Sequence, residues 1–268
     1  MQKRCLFEAP LFVILKEKGG STMIHQEYVR KVPGADTAVL FIHGIVGTPN
    51  HFTDLISLVA LVPEEWSVHN VLLDGHGGNA DDFAATSMEK WKNQVRNTFA
   101  SLAQTHRRVV IVAHSMGTLF ALQLALEFSE KIPFLFLLGV PLRPGVRLGM
   151  AVNSMRMVFG ILPKEHVLWK AAGVTTTPKL WKYVRWIPRF LELFREIGVT
   201  ETLLSDLKVP CVAYQSRKDE LVTNFTAPIL RKSGVMEVHE LKNSTHFYYT
   251  QEDKAKICKD FVQRLEEL

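Results

Sequence analysis

Val109-Val110-Ile111-Val112-Ala113-His114-Ser115-Met116-Gly117 is a β-branched apolar run that stops at a serine set between small residues. The continuation, Thr118-Leu119-Phe120-Ala121-Leu122-Gln123-Leu124-Ala125-Leu126, is apolar on nearly every face and reads as a buried helix. A strand that feeds straight into a helix through Ser115 must turn so tightly that the residues two positions away, Ala113 and Gly117, have to be small. The serine hydroxyl is then held out at the end of a sheet.

Working outward, Ala38 to Ile42 is a continuous apolar run, as expected for a strand covered on both faces of a parallel sheet. It leads into His43-Gly44-Ile45-Val46-Gly47-Thr48-Pro49, after which Thr48 or Asn50 can cap a helix with Phe52, Leu55, Ile56, Leu58 and Val59 on its apolar face. Val68 to Leu73 reads as the next strand, ending in Asp74-Gly75-His76-Gly77-Gly78. Ser87 opens a helix whose Trp91, Val95, Phe99 and Leu102 fall on one stripe, and Phe134 to Val140 is a further buried strand. Met23 to Val32 ends at the turn Pro33-Gly34 and suits an edge strand or hairpin. Strand and helix alternating in this way imply a mostly parallel sheet with right-handed crossovers.

Residues 141–205 break the rhythm. They carry Trp169, Trp181, Tyr183 and Trp186 and two helix-like segments, Leu148 to Phe159 and Lys179 to Ile197, and are expected to form a helical cap inserted into a core of residues 23–140 and 206–268. Between residues 141 and 200 ten Lys or Arg face three Glu, a net of +7 in a chain whose total is +5, so the basic character belongs to this segment. The alternation resumes with a strand at Val209 to Gln215, a helix at Asn224 to Arg231, a strand at Val235 to Leu241 and a last helix from Gln251 to Leu268.

The chain has 268 residues, 47% of them hydrophobic and 22% charged, enough for a sizeable core that needs no disulfide staples. Cys5, Cys211 and Cys258 are scattered, odd in number and lack metal-ligand spacing, which fits neither a disulfide framework nor a zinc site and suits a reducing cytoplasm. Glu8 and Pro10 interrupt the apolar stretch after Lys3-Arg4, against a secretory signal, and no run approaches the length of a membrane span. Lys18-Gly19-Gly20 ahead of Met23 marks residues 1–22 as an N-terminal arm or a translated leader with initiation at Met23.

Five segments together carry a family resemblance. They are Phe41-Ile42-His43-Gly44, Leu73-Asp74-Gly75-His76-Gly77, Ala113-His114-Ser115-Met116-Gly117, Ser216-Arg217-Lys218-Asp219 and Ser244-Thr245-His246. In this order they resemble the α/β-hydrolase superfamily, in particular its small bacterial carboxylesterase and monoacylglycerol lipase branch, and Ala113 to Gly117 is similar to the G-x-S-x-G nucleophile elbow. Two positions depart from the pattern: Ala113 stands for the first glycine, tolerable at negative φ, and Thr118 stands where a second glycine is common.

The resemblance implies a triad in the order Ser, Asp, His: Ser115 as nucleophile, Asp219 after a late strand and His246 in the loop after the last one. Glu220 is the nearer rival to Asp219, since the superfamily also uses Glu. The oxyanion donors it implies are the backbone N–H groups of Met116 and Ile45. His43, His114 and the Asp74 to Gly77 loop read as structural braces.

The expected activity is hydrolysis of carboxylic esters, with short or medium acyl chains or monoacylglycerol-like lipids, through an acyl-enzyme on Ser115. A thioesterase, acyltransferase or peptidase would use the same triad, and a catalytically silent binding protein would use the same fold. No cofactor or metal is implied, because H-E-x-x-H, P-loop and strand-linked G-x-G-x-x-G patterns are missing. The expected partner is a small-molecule ester or lipid rather than nucleic acid, with weak membrane-surface contact through basic residues such as Lys182 and Arg185 as a secondary reading.

Overall fold

The computed structural model of the chain describes residues 25–268. Seven strands form one sheet in the order β1-β3-β2-β4-β5-β6-β7. They are β1 (Tyr28–Arg30), β2 (Thr37–Ile42), β3 (Ser67–Asn70), β4 (Arg108–His114), β5 (Leu135–Leu138), β6 (Cys211–Ser216) and β7 (Met236–Leu241). Only β1, at the edge, runs antiparallel to its neighbour; every other pairing is parallel. The proposed arm or leader at residues 1–22 lies outside the described residues.

Strand β4 is central, and its unbroken apolar run follows from burial on both faces. Val109, Ile111 and Ala113 point into one core with Trp91, Val95 and Phe99 of α2 (Met88–Thr105) and Leu119 of α3 (Met116–Glu127). Val110 and Val112 point into the other, with Phe41, Phe52 and Phe136 and with Ile257, Phe261 and Leu265 of α9 (Gln251–Glu266). Each fully buried valine or phenylalanine contributes roughly 1.5–3 kcal/mol by leaving water. Pairing of Ile42 with Ala113 and of His114 with Leu138 sets β2, β4 and β5 level where Ser115 follows.

Elsewhere local chemistry refines the expected elements. The single helix expected after Thr48 is instead a π-helical turn, His51–Leu55, and a 3₁₀ turn, Val59–Leu61, separated by Ser57 at a left-handed φ of 59°. Its apolar residues Phe52, Ile56, Leu58 and Val59 are buried all the same. A short α1 (Ala80–Ala85) precedes α2, fixed by a capping box in which Asn79 and Asp82 exchange side-chain and backbone hydrogen bonds. Ser87 caps α2 as anticipated, accepting from the Lys90 N–H at 3.2 Å.

Four helices lie between β5 and β6: α4 (Leu148–Val158), α5 (Leu168–Ala171), α6 (Trp181–Val184) and α7 (Ile187–Leu203). The stretch read as one helix from Lys179 is split into α6 and α7, and Pro188 sits in the first turn of the second, where a proline costs no hydrogen bond. The last crossover helix is α8 (Thr226–Arg231).

Gly117 marks the closest approach of α3 to the sheet. A Cβ there would collide with the carbonyl oxygen of Ile42 and come within 2.7 Å of that of His43. Gly117→Ala is therefore expected to lower stability by about 1–3 kcal/mol. Gly149→Ala, at an α4 position with open space around it, should leave the thermal midpoint unchanged or slightly raised. Thermal denaturation of the two variants side by side checks this; equal midpoints would refute the close-packing account.

Candidate active site

Ser115 occupies the N-cap of α3 with φ 51° and ψ −125°, a left-handed conformation that non-glycine residues rarely adopt. Neighbouring bonds hold it there. Its N–H donates to the Leu138 carbonyl at 2.9 Å, and its carbonyl accepts from the Thr118 N–H at 2.9 Å and the Thr118 hydroxyl at 2.7 Å. Thr118 thus locks the turn itself, a part its position in the sequence did not reveal. Ala113 is not among the positive-φ residues, so the missing glycine costs nothing there.

Asp219 and His246 come together from the ends of β6 and β7. The Nδ1–H of His246 donates to Asp219 Oδ2 at 2.8 Å, and Oδ1 of the same carboxylate accepts from the N–H groups of Leu221 and Val222 at 2.7 and 2.8 Å. Both side chains are almost wholly buried. Glu220 takes a different part: its Oε2 accepts the backbone N–H of His246 at 3.0 Å. On the other side the Nε2–H of His114 donates to the His246 carbonyl at 3.2 Å, so the backbone of this one residue is clamped from two directions. Among the described residues Ser115 Oγ has no hydrogen-bond partner, so its link to His246 is not closed in this structure.

The loop after β2 passes directly over the serine. A Cβ on Gly44 would lie 2.8 Å from Ser115 Cβ and 3.3 Å from its Oγ, so only glycine allows this approach. Val46 follows at φ 54°, a strained setting for a β-branched residue. Its N–H donates to His76 Nε2 at 3.1 Å and its carbonyl accepts from the Gly173 N–H at 2.8 Å. His43 braces the same loop, its Nε2 accepting from the Leu73 N–H at 3.1 Å and its Nδ1–H donating to the Gly44 carbonyl at 2.8 Å. Ile45 sits between these fixtures, and Met116 supplies the first N–H of α3, where helix geometry leaves the donor unpaired and the dipole favours negative charge.

Five histidines, His43, His51, His76, His114 and His246, are buried, and the environment makes one different. Burial holds His51 down at about 3, with a further contribution from the charge of His246, and His76 at about 4. Burial likewise keeps His43 and His114 well below the ordinary value. Burial also pulls on His246, but the charge and hydrogen bond of Asp219, with the charge of Glu220, outweigh it and raise the imidazole above 6.5. His51 stacks on His114 at 3.7 Å and His114 lies 4.6 Å from the His246 ring, so rings whose affinity for a proton is lowered pack against the one whose affinity is raised.

The segment between β5 and β6 is rooted in this site at two places. Backbone bonds from Gly145 to Leu221, Arg147 to Glu220 and Thr223 to Arg143, each 2.8–2.9 Å, tie the start of α4 to the Asp219 loop. Gly173 and Thr175 bond to Val46 and Gly78 and tie the middle of the segment to the loops after β2 and β3. Lys182 and Arg185 both pair with Asp81 of α1, and Trp186 is buried against Phe83 with its indole N–H on the Ala80 carbonyl at 2.8 Å. These cations hold the segment to α1. Trp181, by contrast, is 68% exposed. Among the described residues no cluster of His, Cys, Asp or Glu is arranged to hold a metal ion, and no helix is long and apolar enough to cross a membrane.

The arrangement places a strained serine at a helix N-terminus beneath a glycine loop, with a buried Asp–His pair beside it. Known structures share its framework. A metagenome-derived lipolytic enzyme superposes with a TM-score of 0.71 at 21% identity, over 91% of this chain and 98% of its own. The monoacylglycerol lipase of Paleococcus ferrophilus gives 0.61 at 16%, over 91% and 99%. A thioesterase domain from the curacin biosynthetic pathway gives 0.59 at 14%, over 89% and 99%. No curated protein sequence matches the chain. The family model for the alpha/beta hydrolase family matches residues 39–257, most of the chain, and the protein belongs to that family.

Proposed function

We propose that the protein is a serine hydrolase of carboxylic esters. The reading rests on one observation above the others: the left-handed Ser115 at the N-terminus of α3 shares a buried site with an Asp219–His246 pair joined at 2.8 Å. In this scheme the Asp219 bond fixes the proton on Nδ1 of His246 and leaves Nε2 to take the proton of Ser115 Oγ as that oxygen attacks the ester carbonyl. The N–H groups of Ile45 and Met116 stabilise the oxyanion. Collapse of the tetrahedral adduct breaks the ester C–O bond, His246 returns the proton to the departing alcohol, and water deacylates the serine by the same route. The Ser115–His246 hydrogen bond closes on substrate binding, as catalytic contacts commonly do.

The walls near this site are apolar. Phe247, next to His246, and Leu221, two residues after Asp219, pack with Met150 and Leu168, and Ile45 and Val46 border the serine loop. That lining suits short or medium acyl esters and monoacylglycerol-like lipids. In the same proposal residues 141–205 act as a cap on a core of residues 23–140 and 206–268, and the protein works in the cytoplasm, a setting that the scattered, odd-numbered cysteines suit.

Hydrolysis of p-nitrophenyl esters from acetate to palmitate, with Ser115→Ala alongside, tests the proposal. Turnover is expected to peak at short or medium chains and to fall by about 10⁴-fold or more in the variant. Turnover that survives the substitution, or none on any ester by the folded protein, would refute it.

The pH profile is a second test. His246 must be neutral to act as base, and its raised affinity for a proton puts the rising limb of kcat/KM above 6.5. Glu220→Gln keeps an acceptor for the His246 N–H but removes a negative charge that favours the imidazolium, so the limb should move to lower pH. Asp219→Asn should cut kcat by about 10⁴-fold through loss of tautomer control. A limb that stays in place in Glu220→Gln would show that Glu220 has no electrostatic part.

A further inference from the structure

Thirteen of the seventeen exposed large apolar side chains among the described residues lie between Val146 and Val199. The most regular group is on α4 and just beyond it. Leu148, Val152, Met155 and Phe159 recur at helical spacing and are 79%, 45%, 45% and 49% exposed, and Ile161 continues the stripe at 69%. Val152, Met155, Phe159 and Ile161 border a hollow of about 310 Å³ with Ala151 and Arg156. The opposite face of α4 is buried: Met150 and Met157 pack with Leu162 and Leu168 against Leu221 and Phe247, beside Asp219 and His246. The helix therefore stands between the candidate site and solvent, apolar on both sides.

Charge selects what fits the outer face. No Asp or Glu occurs from Pro141 to Lys164, while Arg147, Arg156 and Lys164 are all exposed along the stripe. Lys182 and Arg185, the cations that the sequence first suggests for such a role, are paired with Asp81 and belong to the attachment of α6. From Arg147 to Lys164 every charged side chain is a cation, with the exposed Glu165 just beyond, and an apolar stripe bordered in this way matches a surface that offers hydrocarbon below a layer of negative charge.

We propose that α4 and the turn to Ile161 dock on an anionic lipid bilayer surface, with Leu148, Val152, Met155, Phe159 and Ile161 entering the interface and Arg147, Arg156 and Lys164 meeting lipid phosphates. As a route by which lipid-borne esters reach Ser115 it rests on the ester-hydrolase reading; as a binding surface it does not. A soluble protein gains nothing from keeping such a stripe in water, where contiguous apolar patches promote association.

Flotation of the full chain carrying Ser115→Ala, so that no lipid is consumed, with phosphatidylcholine vesicles containing or lacking phosphatidylglycerol tests the docking. Binding is expected with phosphatidylglycerol only and is expected to weaken with salt. The double variant Val152→Ser, Phe159→Ser should reduce it at least about tenfold, and Arg156→Gln about fivefold. In the Ser115 background the double variant should hydrolyse a soluble short-chain ester at the original rate, with an unchanged circular dichroism spectrum showing that it folds. No flotation on any vesicle, or flotation untouched by these substitutions, would overturn the proposal. So would a dimer dissolved by the double variant without any vesicle binding, which would assign the face to a second copy of the chain. Flotation needs no turnover, so failure of the docking and failure of the hydrolase reading show in different measurements.

Discussion

Ser115 keeps a left-handed backbone at a cost of about 1–3 kcal/mol, and the surrounding elements are arranged so that it has no alternative. Strand β4 is paired with β2 up to Ala113 and with β5 up to His114, which fixes where the strand must stop. Helix α3 must start at the next residue, because Gly117 is already against the carbonyl oxygens of Ile42 and His43. Between two immovable elements a single residue makes the whole turn, and Leu138 and Thr118 hold its amide and carbonyl. Val46 repeats the device on the facing loop, strained at φ 54° and held by His76 and Gly173. Strain here fixes the directions of backbone donors rather than storing energy for a step.

The electrostatics follow from the same burial. An imidazole removed from water loses its proton readily unless a negative charge lies nearby. For His43, His51 and His114, and for His76 despite the charge of Asp74, burial wins and the rings are held neutral, which lets them serve as hydrogen-bonding spacers that add no charge to the cavity. His246 has Asp219 on its ring and Glu220 on its backbone, and only there does attraction exceed desolvation. In the proposed hydrolase reading, attack by Ser115 needs one proton carrier, and this distribution leaves His246 alone among these rings with raised proton affinity.

The mostly parallel sheet, the strand β4 and the strand-to-helix turn at Ser115 were legible because each depends on a strong local signal. A two-sided buried strand must be apolar throughout, and a one-residue turn needs Ala113 and Gly117 to be small. What escaped the sequence depends on partners far along the chain. Nothing in a valine announces a positive φ; Val46 takes it because His76 and Gly173 grip it from separate loops. Glu220 could be weighed only as a substitute for Asp219, since its real contact is with the backbone of residue 246. The helix expected after Thr48 failed because hydrophobic spacing reports burial, which held, and not the pitch of the turn, which Ser57 changed.

The positive charge between residues 141 and 200 includes two groups with different physics, apart from Lys170, Lys179 and Arg195. Arg143 pairs with Glu201, Lys182 and Arg185 with Asp81, and Arg189 with Glu192, so these cations act inside the fold, where a partner offsets partial desolvation. Arg147, Arg156 and Lys164 lie exposed in a stretch without acids, and their field acts outward within about a Debye length of the surface. Net charge read from the sequence cannot separate the two, because the separation is made by where Asp81 and Glu201 arrive in space. Once it is made, Arg147, Arg156 and Lys164 are seen to coincide with the exposed apolar stripe of α4, whose buried face packs beside the residues around His246. Arg147, at the N-cap of α4, donates its backbone N–H to the Glu220 carbonyl at 2.9 Å, so the stripe begins at a residue fixed to the loop that carries Asp219.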